Sequence, residues 1–195
     1  MKLGKLLLAV VSATVLLGAL VGSASAGRLE MSSQNGRATW AAMTFSGGSG
    51  TVECEVVLEA TFHSRTMTKT AGSLVGYVTA GNINRCARGG STINRASLPW
   101  HVRYRSFAGT LPSIVGIEFT ITGAEWTTRE PSFGITCTVR AEQSSTIATY
   151  SLSSGTVTSA AASGESRCGE FTDRLGGSTT NVGERGGARL TVRLI

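Results

Sequence analysis

The stretch TVECEVVLEATFH, residues 51–63, indicates the fold class because apolar and polar side chains alternate along almost its whole length. A period of two places successive side chains on opposite faces of a β-strand. The stretch therefore predicts a half-buried strand, and its length leads us to expect a bend or bulge within it. The expected inner face comprises Val52, Cys54, Val56, Leu58, Ala60 and Phe62, and the outer face comprises Glu53, Glu55, Val57, Glu59, Thr61 and His63.

Three later stretches, residues 114–123, 132–140 and 188–195, show the same period of two. Clusters of Gly, Ser and Asn separate the candidate strands, as turns require, and no window has the apolar spacing of an amphipathic helix. Because each strand has one apolar face to bury, the sequence predicts an all-β fold, an antiparallel two-sheet β-sandwich. The expected inward residues include Val115, Ile117, Phe119, Ile121, Cys137, Val139, Leu190, Val192 and Leu194, and shorter candidate strands are residues 38–45, 74–79, 146–152 and 155–160.

Residues 1–26 have the three parts of a secretory signal peptide. Lys2 and Lys5 precede an apolar run, and small residues stand before a cleavage site expected after Ala26. The apolar run is shorter than the ~20 residues that span a bilayer, and no later run is long enough to do so. The sequence therefore predicts a secreted protein whose mature chain, residues 27–195, is a single domain.

The predicted mature chain is mildly basic, with sixteen basic side chains against twelve acidic ones and a net charge of +4. The charges are scattered, without a basic tract and without aromatic residues interleaved among clustered arginines. Nucleic acid is therefore not an expected partner. A general attraction to anionic surfaces follows from the charge, but a specific site does not.

Several matches between the two halves of the chain suggest an internal duplication. The tracts GGSTIN, residues 89–94, and GGSTTN, residues 176–181, are nearly identical, and each follows a cysteine that is preceded by arginine. Trp40 and Trp126 stand upstream of the first cysteine in each half. Coincidence in a chain rich in Gly, Ser and Thr is the alternative interpretation.

Four cysteines, Cys54, Cys86, Cys137 and Cys168, remain in the predicted mature chain. An even number in an exported protein predicts disulfides, and none of the four belongs to a CxxC motif that would indicate zinc or redox chemistry. Three pairings are open on these grounds. A genuine repeat favours Cys54–Cys86 and Cys137–Cys168, each of which would stabilise the fold by about 3–4 kcal/mol.

The segment SLPWHVRYRSFAGTLPSIVGIEF, residues 97–119, is unusually rich in aromatic, basic and proline residues. It predicts a strand with large inward side chains, a short turn, and a second strand. The expected inward anchors are Trp100, Val102 and Tyr104, the turn residues are Gly109 and Pro112, and Leu111 and Ile114 are expected to cover one end of the core.

Within this segment, LPWHVRYRSFAGTLPSIVGI, residues 98–117, resembles a motif of small exported actinobacterial proteins. The resemblance extends over most of the mature chain and implies a secreted β-rich fold with disulfides. It implies no activity and no functional residue.

Two sets of charged side chains on outer strand faces form the candidate binding face. Cross-strand ion pairs on a solvated sheet are one interpretation, and such pairs contribute little to stability. The other is a polar groove for a glycan or an acidic peptide, because arginine presents forked donors to carboxylates. The acidic members are Glu53, Glu55 and Glu59, and the basic members are His101, Arg103 and Arg105.

The sequence lacks the usual signatures of catalytic, metal and phosphate sites. Its two histidines and its one aspartate, Asp173, form no recognisable Ser-His-Asp set or metal-ligand spacing, and no GxSxG or phosphate-loop motif occurs. No catalytic residue, cofactor or metal is therefore expected. Glu53 and Glu55 keep glycoside hydrolysis open, because their expected separation on one strand face suits paired carboxylates.

The function expected from these features is that of a secreted, non-catalytic β-domain with a binding or structural role at the cell envelope or in the medium. A cell-wall glycan or another secreted protein is the expected partner. Two alternatives stay open: a hydrolase of extracellular glycan, and a surface subunit that assembles through exposed sheet edges.

Overall fold

The structure is a computed structural model that covers most of the predicted mature chain. The predicted signal peptide and Cys168 lie outside the described residues. The described residues are 27–47, 50–87, 89–129, 134, 136–141, 146–160, 165–166, 174–177, 179 and 181–195.

The chain is all β, as the sequence predicts, and every strand pairing among the described residues is antiparallel. The first half forms β1 (Arg28–Met31), β2 (Asn35–Gly47), β3 (Gly50–Phe62), β4 (Thr66–Thr68), β5 (Leu74–Cys86), β6 (Gly90–Ile93) and β7 (Trp100–Thr110), with a 3₁₀ turn at Arg95–Ser97. The second half forms β8 (Ser113–Thr122), β9 (Ala124–Arg129), β10 (Thr136–Ala141), β11 (Thr146–Ser151), β12 (Val157–Ala160), β13 (Glu165–Ser166), β14 (Arg174–Gly176), β15 (Asn181–Glu184) and β16 (Val192–Leu194).

These strands form three sheets, and the largest is curled. Its order is β12-β11-β8-β7-β5-β3-β2-β14, with β15 also paired to β2, while the smaller sheets have the orders β13-β10-β9-β6 and β16-β1-β4. The edge strand β12 returns toward the segment between β14 and β15. There the backbone N–H of Thr179 donates to the carbonyl of Val157 at 2.7 Å, so the two ends of the sheet meet.

The four-stranded sheet packs against the part of the largest sheet formed by β2, β3 and β5, which gives a two-sheet sandwich. Phe45 of β2 meets Trp126 of β9 edge to face, with ring centroids 6.3 Å apart. At the opposite end, the three-stranded sheet contributes Leu29 and Met31, both fully buried, to the same core. Apolar faces of all three sheets therefore enclose one continuous core.

The alternation in residues 51–63 and around Trp100 predicts burial correctly. Val52, Cys54 and Val56 are buried on β3, and the pairing of β3 with β5 shifts register at two places, which confirms the expected irregularity. Trp100 and Tyr104 on β7 are 4% and 2% exposed. The residues predicted as inward anchors therefore do pack in the core.

The prediction that Val115 and Leu111 face the core is wrong. Val115 is 59% exposed and Leu111 is 49% exposed. The pairing of β7 with β8 shifts register after Ala108, so Val115 is the extra residue of a β-bulge and leaves the alternation. Ile114 does pack against the core, and Gly109 has the positive φ of 96° that this turn needs.

One predicted disulfide is present: Cys54 on β3 is bonded to Cys86 on β5. The two cysteines face each other directly in the strand register. Cys137 is buried on β10 and is not a free thiol. Its predicted partner, Cys168, lies outside the described residues, so that pairing stays a prediction.

Parts of the strand connectivity recur in the two halves of the chain. In the first half Trp40 on β2 pairs with Val56, two residues after Cys54. In the second half Trp126 on β9 pairs with Val139, two residues after Cys137. The units β2-β3-β5 and β9-β10-β13 therefore have equivalent strand orders, and so do β16-β1-β4 and β7-β8-β11.

The halves also exchange their last strands with each other. From the first half, β6 pairs with β9 and β7 pairs with β8. From the second half, β14 and β15 pair with β2, and β16 pairs with β1. The two similar GGST tracts thus lie beside the two equivalent tryptophan strands, an arrangement that we interpret as an internal duplication with reciprocally exchanged strands.

Candidate functional site

Three aromatic side chains form a row on the outer face of the largest sheet. His63 follows β3, Tyr77 lies on β5 and His101 lies on β7. The ring centroids of His63 and Tyr77 are 5.1 Å apart, and those of Tyr77 and His101 are 5.4 Å apart. Both histidines are exposed and Tyr77 is partly exposed, so the three rings, which we call the aromatic row, face solvent.

Local alternation explains why these rings point outward. His101 stands between the buried Trp100 and Val102, and His63 directly follows the buried Phe62. Since successive side chains of a strand point to opposite faces, burial of the neighbours leaves the rings outside. Strand pairing then brings them together, because Tyr77 is in register with His101.

Polar groups surround the aromatic row. Arg103 lies two residues beyond His101 on β7, and one of its terminal nitrogens donates to the carbonyl of Gly72 at 2.9 Å. On the other side, the amide of Gln34 donates to the carbonyl of His63 at 3.0 Å. The aromatic row therefore has exposed ring surface at its centre and hydrogen-bonding groups at its margin. A molecule with apolar faces and polar edges could contact both.

The six residues of the candidate binding face do not form one cluster. Strand β5 lies between β3 and β7, so the acidic and basic sets are separated by two strand spacings, about 10 Å. Glu55 lies six residues before Thr61, which places it about 20 Å along β3 from the row. Of the six, His101 belongs to the row and Arg103 lies beside it.

The expected cross-strand pairing of the two sets is replaced by contacts with other elements. Glu59 contacts Arg37 and Arg185 at 2.5 and 2.8 Å. Glu55 accepts from Asn84 and lies 4.0 Å from Arg85. Arg105 lies 3.9 Å from Glu118 of β8, and Glu53 is exposed on β3 close to the disulfide.

Glu59 does not have the environment of a catalytic acid. The hydrogen bond from Arg37 holds the pKa of the Glu59 carboxyl below its ordinary value, and the charge of Arg185 acts in the same direction. A general acid needs a raised pKa, so this carboxylate is suited to ion pairing. Among the described residues, no group of three His, Cys, Asp or Glu side chains is placed to hold a metal ion.

A polar pocket of about 320 Å³ opens beside the 3₁₀ turn. The amide of Asn94 and the guanidinium of Arg140 each donate to one carboxylate oxygen of Glu125 at 2.7 Å. Both carboxylate oxygens of Glu125 therefore accept a hydrogen bond, and these bonds link β9 to β10 and to the turn that follows β6. No local pattern predicts this set, because Glu125 lies on β9, Arg140 on β10 and Asn94 in the turn after β6.

His63 and Tyr77 are not among the site residues predicted from the sequence. Alternation places His63 on an outer face, but nothing local indicates that Tyr77 lies between the two histidines. Only the strand order β3-β5-β7 reveals the row.

No family model, curated protein or solved structure matches this chain. The resemblance to small exported actinobacterial proteins therefore stays a prediction. In the part of the chain that the structure describes, no helix is long and apolar enough to cross a bilayer.

Proposed function

We propose that this protein is a secreted, non-catalytic binding module that holds a polysaccharide on the outer face of its largest sheet. The aromatic row of His63, Tyr77 and His101 is the observation that carries the proposal. Sugar rings have apolar C–H faces and polar edges, so they suit partly exposed aromatic rings bordered by hydrogen-bonding groups.

The shape of the row favours a polymer over a single sugar. The rings follow one another across three neighbouring strands, at intervals close to the strand spacing of about 4.8 Å. A chain of sugars lying across the strands would contact each ring in turn. Several weak contacts on one polymer act together and give a useful total affinity.

The expected setting is the cell envelope or the medium. The Cys54–Cys86 disulfide fits an oxidising compartment. Residues 1–26 supply the expected secretion signal. A cell-wall glycan is therefore the polysaccharide class that we propose.

Co-sedimentation of the oxidised mature protein with insoluble cell-wall polysaccharide tests this function. We expect retention that persists at high salt, and we expect Tyr77→Ala to reduce the affinity about tenfold because the central ring is lost. The control is Leu111→Ala, which removes another exposed apolar side chain at the β7–β8 turn, at the opposite end of β7 from His101.

Retention that disappears at moderate salt and is unchanged in Tyr77→Ala would contradict the proposal. It would identify only the attraction of a basic protein for an anionic wall. Equal losses in Tyr77→Ala and Leu111→Ala would likewise point to nonspecific adhesion.

A further inference from the structure

The two histidines of the whole chain, His63 and His101, both belong to the aromatic row. They stand on either side of Tyr77, and both are exposed. Histidine is the side chain that ordinarily gains a proton, and with it a positive charge, between about pH 8 and pH 5. Because no other type of side chain ordinarily does so, mild acid places its added side-chain charge in the row.

Arg103 is a permanent cation at the margin of the row. It lies on the same face of β7 as His101, because Val102 and Tyr104 on either side of it are buried. One terminal nitrogen of its guanidinium is held by the carbonyl of Gly72, which orients the group. Among the described residues, no carboxylate forms an ion pair with this arginine or with either histidine.

The acidic side chains of the elements around the row are engaged elsewhere. Glu59 of β3 is held by two arginines, and Glu118 of β8 lies 3.9 Å from Arg105. Beyond β4, Glu30 of β1 accepts from Arg193 at 2.6 Å. Each of these carboxylates is therefore already matched by a cation of its own.

The other neighbours of the row are uncharged or basic. Thr61 and Thr122, which are in register with the central tyrosine and with the histidine of β7, carry no charge. Arg65 follows the first histidine by two residues, and Lys69 lies in the segment between β4 and β5. The row thus presents cations at its margin without matching anions, and it becomes more positive in mild acid.

We propose that the polysaccharide held by the aromatic row is anionic, with a carboxylate on its sugars, and that mild acid strengthens its binding. This inference rests on the polysaccharide function proposed above and names the class of glycan. The apolar face of a sugar lies against a ring, while the carboxylate at the edge of the sugar contacts a histidine or Arg103.

A carboxylate suits the spacing of the row better than a phosphate does. The rings follow one another at about one strand spacing, so the sugars that contact them must be contiguous. A carboxylate attached to a sugar ring leaves the sugars contiguous, whereas a phosphate that links two sugars moves them apart.

Polygalacturonate and its methyl ester test the inference, because the two polymers share one backbone and differ in charge. The oxidised mature protein is titrated with each polymer by calorimetry at pH 7.5 and pH 5.5 in low salt. We expect the affinity for polygalacturonate to rise about five- to tenfold on acidification, as two added charges near carboxylates would give. The affinity for the ester should stay constant. High salt screens the charges but not the ring contacts, so the two affinities should then converge.

Variants assign the effect to the row. With His63→Gln and His101→Gln combined, binding of both polymers should be weaker and independent of pH. Arg103→Gln should weaken binding of polygalacturonate about threefold at both pH values and keep the gain in acid. The matched control is Arg85→Gln, which removes an exposed charge about 26 Å along β5 from Tyr77 and should change neither affinity.

Two outcomes overturn the inference and leave the polysaccharide function standing. One is binding of both polymers with equal affinity at both pH values, weakened by Tyr77→Ala. The other is a gain in acid that persists when both histidines are replaced, because the added charge would then lie elsewhere.

Two further outcomes also bear on the function. Tighter binding of a single-stranded oligothymidylate than of polygalacturonate at pH 5.5 would identify a nucleic-acid surface, and both proposals would be wrong. If neither polymer binds, the inference is wrong, and co-sedimentation with cell-wall polysaccharide decides the function separately.

Discussion

Glu59 lies between two arginines from distant parts of the chain, Arg37 on β2 and Arg185 just after β15. The contacts join the first half of the molecule to its last strands on the outer surface. Together the two guanidinium groups favour the ionised carboxylate, which is why its pKa is lowered. A lowered pKa in the folded state links the stability of the fold to pH.

We expect Glu59→Gln to destabilise the protein at neutral pH by about 1 kcal/mol or less, as a partly exposed ion pair would. The contribution of Glu59 is fully present above the pKa of the unfolded carboxyl and is lost as pH falls through the lower folded pKa. The difference between variant and parent should therefore close in acid. Urea unfolding at pH 7 and pH 2.5 measures it, with Glu53→Gln as the exposed control.

If the free energies of unfolding of Glu59→Gln and the parent differ as much in acid as at neutral pH, the proposed role of the Glu59 charge is wrong. The side chain would then stabilise the fold through packing rather than through its charge.

Among the strands, the β7–β8 hairpin shows where alternation alone fails to predict which side chains are buried. The period of two holds for Ile117 and Phe119, both buried, but the bulge reverses it for Val115. A single extra residue moves a side chain to the opposite face of the sheet. The position of a bulge depends on how the partner strand aligns, so the sequence of β8 alone does not reveal it.

We expect Cys137 to be bonded to Cys168. In the antiparallel ladder of β10 and β13, Val139 pairs with Ser166 and Arg140 pairs with Glu165. If the same register continued for two more residues, it would pair position 137 with position 168, as Cys54 pairs with Cys86 in the equivalent unit. Mass spectrometry of a non-reducing proteolytic digest should find a peptide that joins the two.

A digest that instead joins Cys54 to Cys137 would refute both pairings. Reduction before digestion provides the control, since it should release every cross-linked peptide as two linear ones.

At the scale of the whole molecule, the two halves exchange strands, so neither half completes its sheets alone. The ends of the described chain are themselves paired: Arg28 and Ile195 exchange two backbone hydrogen bonds at 3.2 and 2.9 Å. The β7–β8 turn at Leu111 and Pro112 joins the equivalent pair of strands within the chain. The termini and this turn therefore occupy corresponding places in the repeat.

This correspondence predicts that a circular permutant will fold. The permutant begins at Pro112 and ends at Leu111, with residue 195 joined to residue 27 by a short Gly-Ser linker. We expect the same disulfides and a free energy of unfolding within about 2 kcal/mol of the parent, because only an exposed turn is opened. Circular dichroism and urea unfolding measure this.

The matched control is a permutant opened at Val56, in the middle of a central strand, which we expect not to fold. If the permutant opened at the β7–β8 turn fails in the same way, the turn and the termini are not equivalent.

Side-chain alternation alone predicts the fold class and the inward faces of β3 and β7, whereas the sequence repeat only favours the Cys54–Cys86 pairing that the structure contains. Alternation is a local property of the sequence, and the burial of apolar surface directly selects which face of a strand turns inward. Which strands are neighbours becomes known only from the folded chain. It alone brought His63, Tyr77 and His101 together, because strand pairing depends on contacts between residues far apart in the chain.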